Sequence, residues 1–392
     1  MTDTVLRLGY VPLLDAAPLF VAEALGFAEE EGLQLRLIAA PSWARLRDML
    51  ALGQIEAAQM LAPVPVAMAL GLGGIAARFD ALSVLNMNGD VIGASNPLAE
   101  RMRAAGYGFD FADAALAGHA LLAAAGERLR IGVPFPFSMH AELVHYWFEG
   151  LGRPLPAGLE IHTVPPPRMA EALAAGDIDA FCVGEPHGSV AVEKGVGTLL
   201  LPGLAIWSFA PEKVLATRTG WAEAEPEIAG RLLRAVWRAG RWLGQAENRM
   251  MASELLAAPG RLALPELIER ALTGRIVISG QGEERHVPGF VEFFAGAATF
   301  PWRSQAAWIG RRLAARYGLD PVASVSRAEA VFRSDLYRLH LRGAGANLPR
   351  MSGKPEGAMA APGSVAAERG ALILCRDQFF DAQIFDPEVL AR

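Results

Sequence analysis

The feature that most constrains this chain is an alternation of strand-like and helix-like segments through its first half. Short apolar stretches at residues 6–10 and 33–38 are each followed by a segment with helical spacing, at 17–25 and 43–52. Ser42 stands directly before the second of these helices, where it predicts an N-cap. Alternation of this kind is typical of crossover helices that join parallel strands. We therefore expect a mostly parallel sheet whose ligands bind beyond the carboxyl ends of its strands.

A second series of the same kind begins after an interruption near residue 90 and runs from 129 to 183. The simplest architecture is therefore α/β with two lobes. Lobe I comprises residues 1–90 and 209–392, and lobe II, residues 91–208, is inserted into it. A chain that crosses twice between lobes forms a hinge and leaves a cleft between them.

Three other segments carry weaker patterns. An uncharged run at residues 60–77 contains Pro63 and Pro65 and barely reaches the roughly 18–20 residues that a bilayer requires. We expect it to form a buried helix that begins near Pro65. From Trp221 onward the spacing is helical, whereas the Gly-, Ala- and Pro-rich stretch 342–370 is typical of a surface loop.

Composition excludes several classes of protein. Of 392 residues, 52% are hydrophobic and 20% are charged, which excludes intrinsic disorder because such a chain can bury a large core. The net charge of −6 argues against direct binding of nucleic acid, since phosphate binding needs a basic surface. The two cysteines, Cys182 and Cys375, are too few for a metal cluster or a disulfide framework. We expect no metal and no other cofactor.

The amino-terminal sequence predicts a cellular location. It shows no positively charged stretch followed by an apolar core and a small-residue cleavage site, which is the pattern of a secretory signal peptide. We therefore expect a cytoplasmic protein that does not engage a membrane.

Motifs for catalysis are missing from the sequence. The chain has no Gly-x-Ser-x-Gly elbow, no Walker loop and no His-Glu-x-x-His. His140 and His145 are five residues apart on one predicted helix, so they do not share a face on which to chelate a metal. Cys182 lies in an apolar strand, where a small buried side chain is the simpler interpretation. We expect a binding protein and not an enzyme.

Three residues at junctions between segments are candidates for binding. Trp43 opens a helix and offers an indole N–H, with core packing as the alternative. His140 lies at the amino end of a helix, where free backbone N–H groups favour an anion, with a capped or surface histidine as the alternative. Lys213 is one of only three lysines and stands where the chain returns to lobe I. Its alternative is a solvated loop lysine.

Five motifs along the chain occur in an order that is typical of one family. They are Ser42-Trp43-Ala44 with Arg47-Asp48, Asn88-Gly89, Phe137-Ser138-Met139-His140-Ala141, Phe181-Cys182-Val183-Gly184-Glu185-Pro186, and Pro211-Glu212-Lys213-Val214-Leu215. Over nearly its whole length the chain resembles the nitrate/bicarbonate-binding proteins of ABC-type uptake systems. The resemblance implies the type II periplasmic-binding-protein fold, in which two α/β lobes enclose a cleft.

The same resemblance implies a ligand and the residues that hold it. In nitrate-binding members a tryptophan, a glutamine, a histidine and a lysine bind the anion, and these roles pass to Trp43, His140 and Lys213. The lysine favours nitrate over bicarbonate. Asp90 stands where the glutamine aligns, and it points away, pairs with Lys213 or His140, or serves a different ligand. Supporting positions around these four residues are Ser42, Asn88, Gly89, Ser138, Gly184 and Glu185.

The expected role follows from the same family. A leaderless cytoplasmic member resembles the NasS-type sensor of nitrate and nitrite, which holds an RNA-binding antiterminator of the NasT type and releases it when the anion binds. The alternative is the solute-binding subunit of an anion importer whose leader is missing. An enzyme of pyrimidine-precursor synthesis on the same fold, or a binding protein for another anion such as a sulfonate, are further alternatives.

Overall fold

Two β-sheets carry the fold, one in each of two lobes. The computed structural model describes residues 4–152, 156–262 and 264–390. The strands are β1 (Thr4–Tyr10), β2 (Leu33–Ala39), β3 (Ala57–Leu61), β4 (Phe79–Asn88), β5 (Asp90–Ser95), β6 (Arg128–Val133), β7 (Gly158–Thr163), β8 (Ala180–Gly184), β9 (Gly197–Pro202), β10 (Pro211–Arg218), β11 (Arg275–Val277), β12 (Glu284–His286), β13 (Val291–Glu292), β14 (Gly363–Ala367) and β15 (Gly370–Leu374).

Helices cover both sheets. They are α1 (Ala17–Ala24), α2 (Phe27–Glu30), α3 (Trp43–Ala51), α4 (Pro63–Ala69), α5 (Asn96–Ala104), α6 (Ala114–Ala125), α7 (Met139–Gly150), α8 (Met169–Ala175), α9 (His187–Glu193), α10 (Trp221–Ala224), α11 (Pro226–Leu243), α12 (Arg249–Ala257), α13 (Pro265–Thr273), α14 (Arg303–Tyr317), α15 (Pro321–Glu329), α16 (Ser334–Leu341) and α17 (Pro387–Leu390). In the three described ranges, no helix is both long enough and apolar enough to cross a bilayer.

Apart from the additional edge strand β13 in the first sheet, the two sheets have the same topology. The first has the strand order β13-β4-β10-β3-β1-β2, and the second has the order β7-β6-β8-β5-β9. In the first sheet β1 is parallel to β2 and β3, but β10 runs antiparallel to both of its neighbours, β3 and β4. In the second sheet β6 is parallel to β7 and β8, but β5 runs antiparallel to β8 and β9.

The sheets are therefore mixed, whereas the alternation of segments predicted a mostly parallel arrangement. The reason is the route of the chain between the lobes. β5 follows β4 of the first sheet after a single residue, Gly89, and β10 returns from the second sheet after residues 203–210. Each of these strands enters its sheet from the side of the other lobe, so each runs against its neighbours.

The crossings define where the lobes meet. At the first crossing, Asn88 and Gly89 both adopt positive φ angles, of 58° and 97°, a conformation that glycine adopts without strain. The lobe boundaries given above stay a prediction. Part of the segment assigned to lobe I packs against the second sheet, because the Leu199 N–H of β9 donates to the Ile278 carbonyl at 2.8 Å.

Serine caps begin two of the helices that matter for the cleft. The Ser42 side chain accepts a hydrogen bond from the Arg45 N–H at 3.2 Å, and the Ser138 side chain accepts one from the Ala141 N–H at 3.1 Å. Each bond satisfies a backbone donor that the first helical turn leaves free. The caps fix the starting points of α3 and α7.

Some local predictions need correction. Helix α4 begins at Pro63 and not near Pro65, since a proline at the first helical position lacks only an N–H that has no partner in the helix. The region after Trp221 is largely helical but also contains β11, β12 and β13. The stretch 342–370 is irregular at first and then forms β14, which pairs with β15 in a hairpin.

The carboxyl-terminal tail, residues 346–386, crosses the junction between the lobes. Its Phe380 N–H donates to the Ile206 carbonyl at 2.9 Å, and its Gln378 carbonyl accepts from the Ser208 N–H at 3.0 Å, both in the second crossing. Its Asp381 carboxylate accepts a hydrogen bond from the Tyr146 hydroxyl of α7 at 2.8 Å. The tail thus contacts lobe II as well as the crossing.

Candidate functional site

A group of buried polar side chains lies between the two sheets. We call it the cleft cluster, and it consists of Asp15, Trp43, Asp90, His140, Glu212 and Lys213. Burial of so many ionisable groups is costly unless they are paired or bind something. The cluster is therefore the candidate functional site.

Lys213 lies at the centre of the cluster. Its ammonium nitrogen, which is fully buried, is 2.6 Å from Asp15 Oδ2 and 2.5 Å from Glu212 Oε1. The same nitrogen lies 5.3 Å from the centroid of the Trp43 ring, within the range of a cation–π contact. Lys213 is held in place by β10, where it pairs with Leu61 of β3. The alternative of a solvated loop lysine is thereby excluded.

Lobe I contributes Asp15 and Trp43. Asp15 lies on the short 3₁₀ turn Leu14–Ala16 beyond the carboxyl end of β1, and Trp43 is the first residue of α3. The indole Nε1–H of Trp43 is buried without a hydrogen-bond partner among the described residues. An indole nitrogen can only donate, so this buried donor is free for an acceptor.

Lobe II contributes His140 from the first turn of α7. Its ring is fully buried, and Nδ1 lies 3.2 Å from Glu212 Oε1 without the alignment of a hydrogen bond. Neither ring nitrogen has a hydrogen-bond partner in the described part of the chain. Burial, assisted by the positive charge of Lys213, lowers the pKa of His140 well below its usual range. His140 is therefore neutral and offers one N–H donor.

Asp90 begins β5, directly after the first crossing. Its carboxylate is buried, and its Oδ2 accepts a weak hydrogen bond from the Cys182 thiol at 3.8 Å. Burial, together with the nearby Glu212 charge, raises the pKa of Asp90 to about 7. Asp90 thus faces the cluster, but it forms no ion pair with Lys213 or His140 within the ranges that the structure describes.

The remaining charged groups of the cluster, Asp15, Glu212 and Lys213, form ion pairs with one another. Burial raises the pKa of Asp15 and of Glu212, and the Lys213 charge opposes that shift in both. Burial alone would lower the pKa of Lys213, but the Asp15 and Glu212 carboxylates outweigh it, so this pKa is raised. The ammonium therefore stays charged and is shared between two carboxylates.

Three groups also meet a geometric condition for binding a metal ion. One ligand atom each from Asp90, His140 and Glu212 lies within 4.8 Å of the other two. However, the Lys213 ammonium lies 2.5 Å from the Glu212 oxygen, where it would compete with a cation for that carboxylate. The donor set suits an anion better, and we assign no metal ligand among the described residues.

Three residues of this region were missed as site residues by the sequence interpretation: Asp15, Gln59 and Glu212, the last of which stood there only as part of a motif. Asp15 contacts Lys213, and the Gln59 side-chain amide donates to Asp15 Oδ1 while its own oxygen accepts from the Val11 N–H at 2.9 Å. Asp15 follows β1, and Gln59 lies within β3. The rule that ligands meet the carboxyl ends of strands could have found Asp15, but no local pattern singles out Gln59.

The supporting positions take several places around the cluster. A Cβ atom at Gly184 would lie 3.6 Å from Asp15 Oδ2 and 3.7 Å from His140 Nε2, so this backbone lines the cluster directly. Asn88 bridges the two crossings, since its amide donates to the Ser208 carbonyl at 3.1 Å. The other positions shape the backbone: Ser42 and Ser138 cap α3 and α7, and Gly89 provides the positive φ angle of the first crossing. Glu185 accepts hydrogen bonds from the backbone N–H and the hydroxyl of Ser189.

The chain is similar in sequence to proteins of nitrate transport systems. The nitrate import ATP-binding protein NrtC of Synechococcus elongatus is 33% identical over 345 residues, which are 86% of this chain and 50% of that protein. The chain thus spans about half the length of the first curated relatives that it matches. The nitrate/nitrite binding protein NrtA of the same organism is 29% identical over 97% of this chain and 83% of its own.

A solved structure supports the fold. The crystal structure of the periplasmic nitrate-binding protein NrtA from Synechocystis PCC 6803 superimposes with a TM-score of 0.83 at 26% identity, covering 98% of this chain and 96% of that one. The periplasmic-binding-protein fold expected from the motifs is confirmed. The model of the NMT1-like family matches residues 2–257, which include both crossings and the whole cleft cluster. This chain is a member of the NMT1-like family.

Proposed function

We propose that this chain binds nitrate or nitrite between its two lobes. The observation that carries the proposal is the set of buried N–H donors that converge from opposite lobes. Trp43 from lobe I and His140 from lobe II both have nitrogens without partners in the described ranges, and the Lys213 ammonium lies between them. An anion held by all three would bridge the lobes.

The chemistry of nitrate suits this donor set. Nitrate is flat and singly charged, and its three oxygens only accept hydrogen bonds. Removing such an ion from water is costly unless donors replace its hydration. Hydrogen bonds from a charged donor are the stronger kind, and the indole face can cover a planar ligand. Because the anion would contact both lobes, it would stabilise the closed arrangement over an open one.

The comparisons support the same ligand. The relatives NrtC and NrtA and the superimposed crystal structure carry nitrate, or nitrate and nitrite, in their names. The cleft cluster lies within the region matched by the family model. Binding without turnover also agrees with the missing catalytic motifs.

The experiment is a calorimetric titration of the purified chain with nitrate, nitrite, bicarbonate and a simple alkanesulfonate. We expect a saturable signal with nitrate or nitrite that is lost or weakened in Lys213→Met. Lys194, which is exposed at the end of α9, provides the matched control Lys194→Met with unchanged binding. A wild-type chain that binds only bicarbonate or the sulfonate would reject the proposed ligand.

As the cellular role, we propose a cytoplasmic sensor of the NasS type that holds a NasT-type antiterminator. The support is the resemblance of the motifs to that group and a net charge of −6, which suits a basic partner. By linkage, an anion that weakens the partner's binding must itself bind less tightly to the complex. Co-purification with the antiterminator should therefore decrease as nitrate is added.

The second candidate role is the solute-binding subunit of a nitrate importer. The names of the relatives favour it, because NrtC is a nitrate import protein and NrtA a binding protein. Under this role, the chain should associate with an importer permease, and nitrate should not change its association with an antiterminator. One pull-down with both partners, with and without nitrate, distinguishes the two roles.

A further inference from the structure

We propose that Asp90 serves the cleft cluster as a neutral carboxylic acid whose O–H donates to the bound anion, so that nitrate binding is coupled to a proton. The inference rests on the proposed function and deepens it, since it assigns a specificity role to one side chain. It also answers how a carboxyl group can occupy the place of an amide in an anion site.

The Asp90 carboxyl group is isolated from strong hydrogen-bond donors. It is 1% exposed, and the groups that face it come from three elements: Cys182 on β8, His140 on α7, and Glu212 and Lys213 on β10. The thiol is a weak donor, the imidazole is neutral, and Glu212 repels a second negative charge. The ammonium is bound to other carboxylates.

The cleft cluster contains more carboxyl groups than positive charges. Three carboxyl groups, Asp15, Asp90 and Glu212, share one ammonium. Lys213 lies within 2.6 Å of both Asp15 and Glu212, so Asp90 is the carboxyl group of the cluster that has no positive partner among the described residues. A buried carboxylate without a partner takes up a proton rather than staying charged. An incoming anion increases that tendency.

Close packing prevents the Asp90 side chain from leaving the cluster. A Cβ atom at Gly203 would lie 2.1 Å from Asp90 Oδ1, so the carboxyl group is packed directly against the backbone of the second crossing. It cannot turn toward solvent in this arrangement. In its protonated form the group carries one O–H donor, which matches an anion that has only acceptor oxygens.

The experiment measures nitrate affinity by calorimetry over about three pH units centred on neutrality, in two buffers that differ in protonation enthalpy. Above the pKa of Asp90, each pH unit should weaken wild-type binding by up to about tenfold. The apparent enthalpy should also differ between the buffers, because the complex takes up a proton. A wild-type affinity that does not change with pH would overturn the proposal.

The decisive variant is Asp90→Asn, which keeps an N–H donor but cannot titrate. We expect it to bind nitrate about as tightly as the wild type does at acidic pH, and to lose the pH dependence. Glu142→Gln is the matched control, because Glu142 is a buried carboxyl group of α7 whose partner is Arg316 and not the cluster. It should keep the wild-type slope. A slope that survives in Asp90→Asn would place the proton elsewhere and overturn the proposal.

An infrared measurement tests Asp90 without any ligand. A protonated carboxyl group has a C=O stretching band distinct from that of a carboxylate, and the wild type should show such a band at neutral pH that Asp90→Asn lacks. If the wild type binds no nitrate at any pH, the proposed function fails. The infrared band then supports or overturns the neutral state of Asp90 independently.

Discussion

Two of the three lysines of this chain each lie between two buried carboxylates, Lys213 fully buried and Lys354 partly buried, and the two sites differ in how well their hydrogen-bonding groups are satisfied. In the cleft cluster Lys213 pairs with Asp15 and Glu212. In a second group, which we call the tail cluster, Lys354 pairs with Glu356 and Asp377. Ser304 and Trp207 complete the tail cluster.

The tail cluster leaves no carboxylate oxygen without a donor. Ser304 donates to Glu356 Oε1 at 2.5 Å and Lys354 to Oε2 at 2.5 Å, while the Trp207 indole donates to Asp377 Oδ1 at 2.6 Å and Lys354 to Oδ2. A buried network with every member satisfied rigidifies a structure. The tail cluster therefore has a structural task, which is to fasten the tail to α14 and to the second crossing.

The cleft cluster has the same ingredients and is incomplete. Its tryptophan, Trp43, has no acceptor for the indole N–H, and its histidine, His140, has no hydrogen-bond partner on either nitrogen in the described ranges. Buried polar groups without partners are rare and need an explanation. In the described ranges Lys354 also faces one indole without a partner, that of Trp302, whereas the cleft cluster brings together free nitrogens from both lobes, on Trp43 and His140. Free donors from opposite lobes, and not a lysine between carboxylates, therefore distinguish the cleft cluster.

The strongest test of this comparison removes the tail lysine. In Lys354→Met, measured above pH 8 where Glu356 is ionised, two buried carboxylates lose their positive partner in the described part of the chain, and we expect the free energy of unfolding to fall by about 3–5 kcal/mol. Urea denaturation measures the loss. Nitrate affinity of the folded variant should remain close to that of the wild type. A decrease in the free energy of unfolding of less than about 1 kcal/mol would contradict the structural role assigned to the tail cluster.

The corresponding change in the cleft acts on binding as well as on stability, because Asp15 and Glu212 also lose the positive charge of Lys213. Lys213→Met removes a charged donor, and we expect nitrate affinity to weaken by roughly 2 kcal/mol or more, which is about thirtyfold. Calorimetry measures the change, with Lys194→Met as the control. Equal affinity in the folded Lys213→Met variant would show that the anion does not contact this ammonium.

The two tryptophans form a matched pair. Trp43→Phe deletes an indole N–H that has no hydrogen-bond partner in the described ranges, so we expect nitrate affinity to fall by about 1–1.5 kcal/mol. The free energy of unfolding should change only through the altered packing of the smaller ring. Trp207→Phe deletes the donor to Asp377, so its main effect should be on stability. Parallel titrations and denaturation curves measure both. If both variants lose the same property, the distinction between the clusters is wrong.

The tail cluster should also make the free energy of unfolding depend on pH. Burial raises the pKa of Glu356 from its usual 4.5 to about 8, so between these values the folded chain holds a proton that the unfolded chain has released. Stability should therefore decrease as pH rises through this window, by at most about 1.4 kcal/mol per pH unit. Urea midpoints at several pH values measure this, and Glu356→Gln should flatten the dependence.

Local signals in the sequence predicted several features well. The caps Ser42 and Ser138 lie at the starts of α3 and α7, and those helices carry two of the cleft residues. Trp43, Asp90, His140 and Lys213 all lie in one cluster, although their roles as ligands stay a prediction. Short motifs carried this information because each marks a fixed position at a strand–helix junction.

Long-range features could not be read from the sequence. The antiparallel directions of β5 and β10 depend on how the chain crosses between lobes, which no local period encodes. Asp15 was missed although its place beyond the carboxyl end of β1 could have indicated it, and Gln59 was missed because a buried strand gives it no distinct pattern. The orientation of Asp90 depends on its contacts with Cys182 and Gly203, which are distant in the sequence, so the sequence left several orientations open.

The backbone hydrogen bonds between the tail and the second crossing couple the surface of the molecule to the relative position of the two lobes. Any rotation that displaces Ile206 or Ser208 must be followed by Gln378 and Phe380, because hydrogen bonds join their backbones. The hairpin of β14 and β15 belongs to the same stretch of chain and displays Ile373 on the surface. A fluorophore attached at this exposed position would test whether binding of a small anion in the cleft moves the tail.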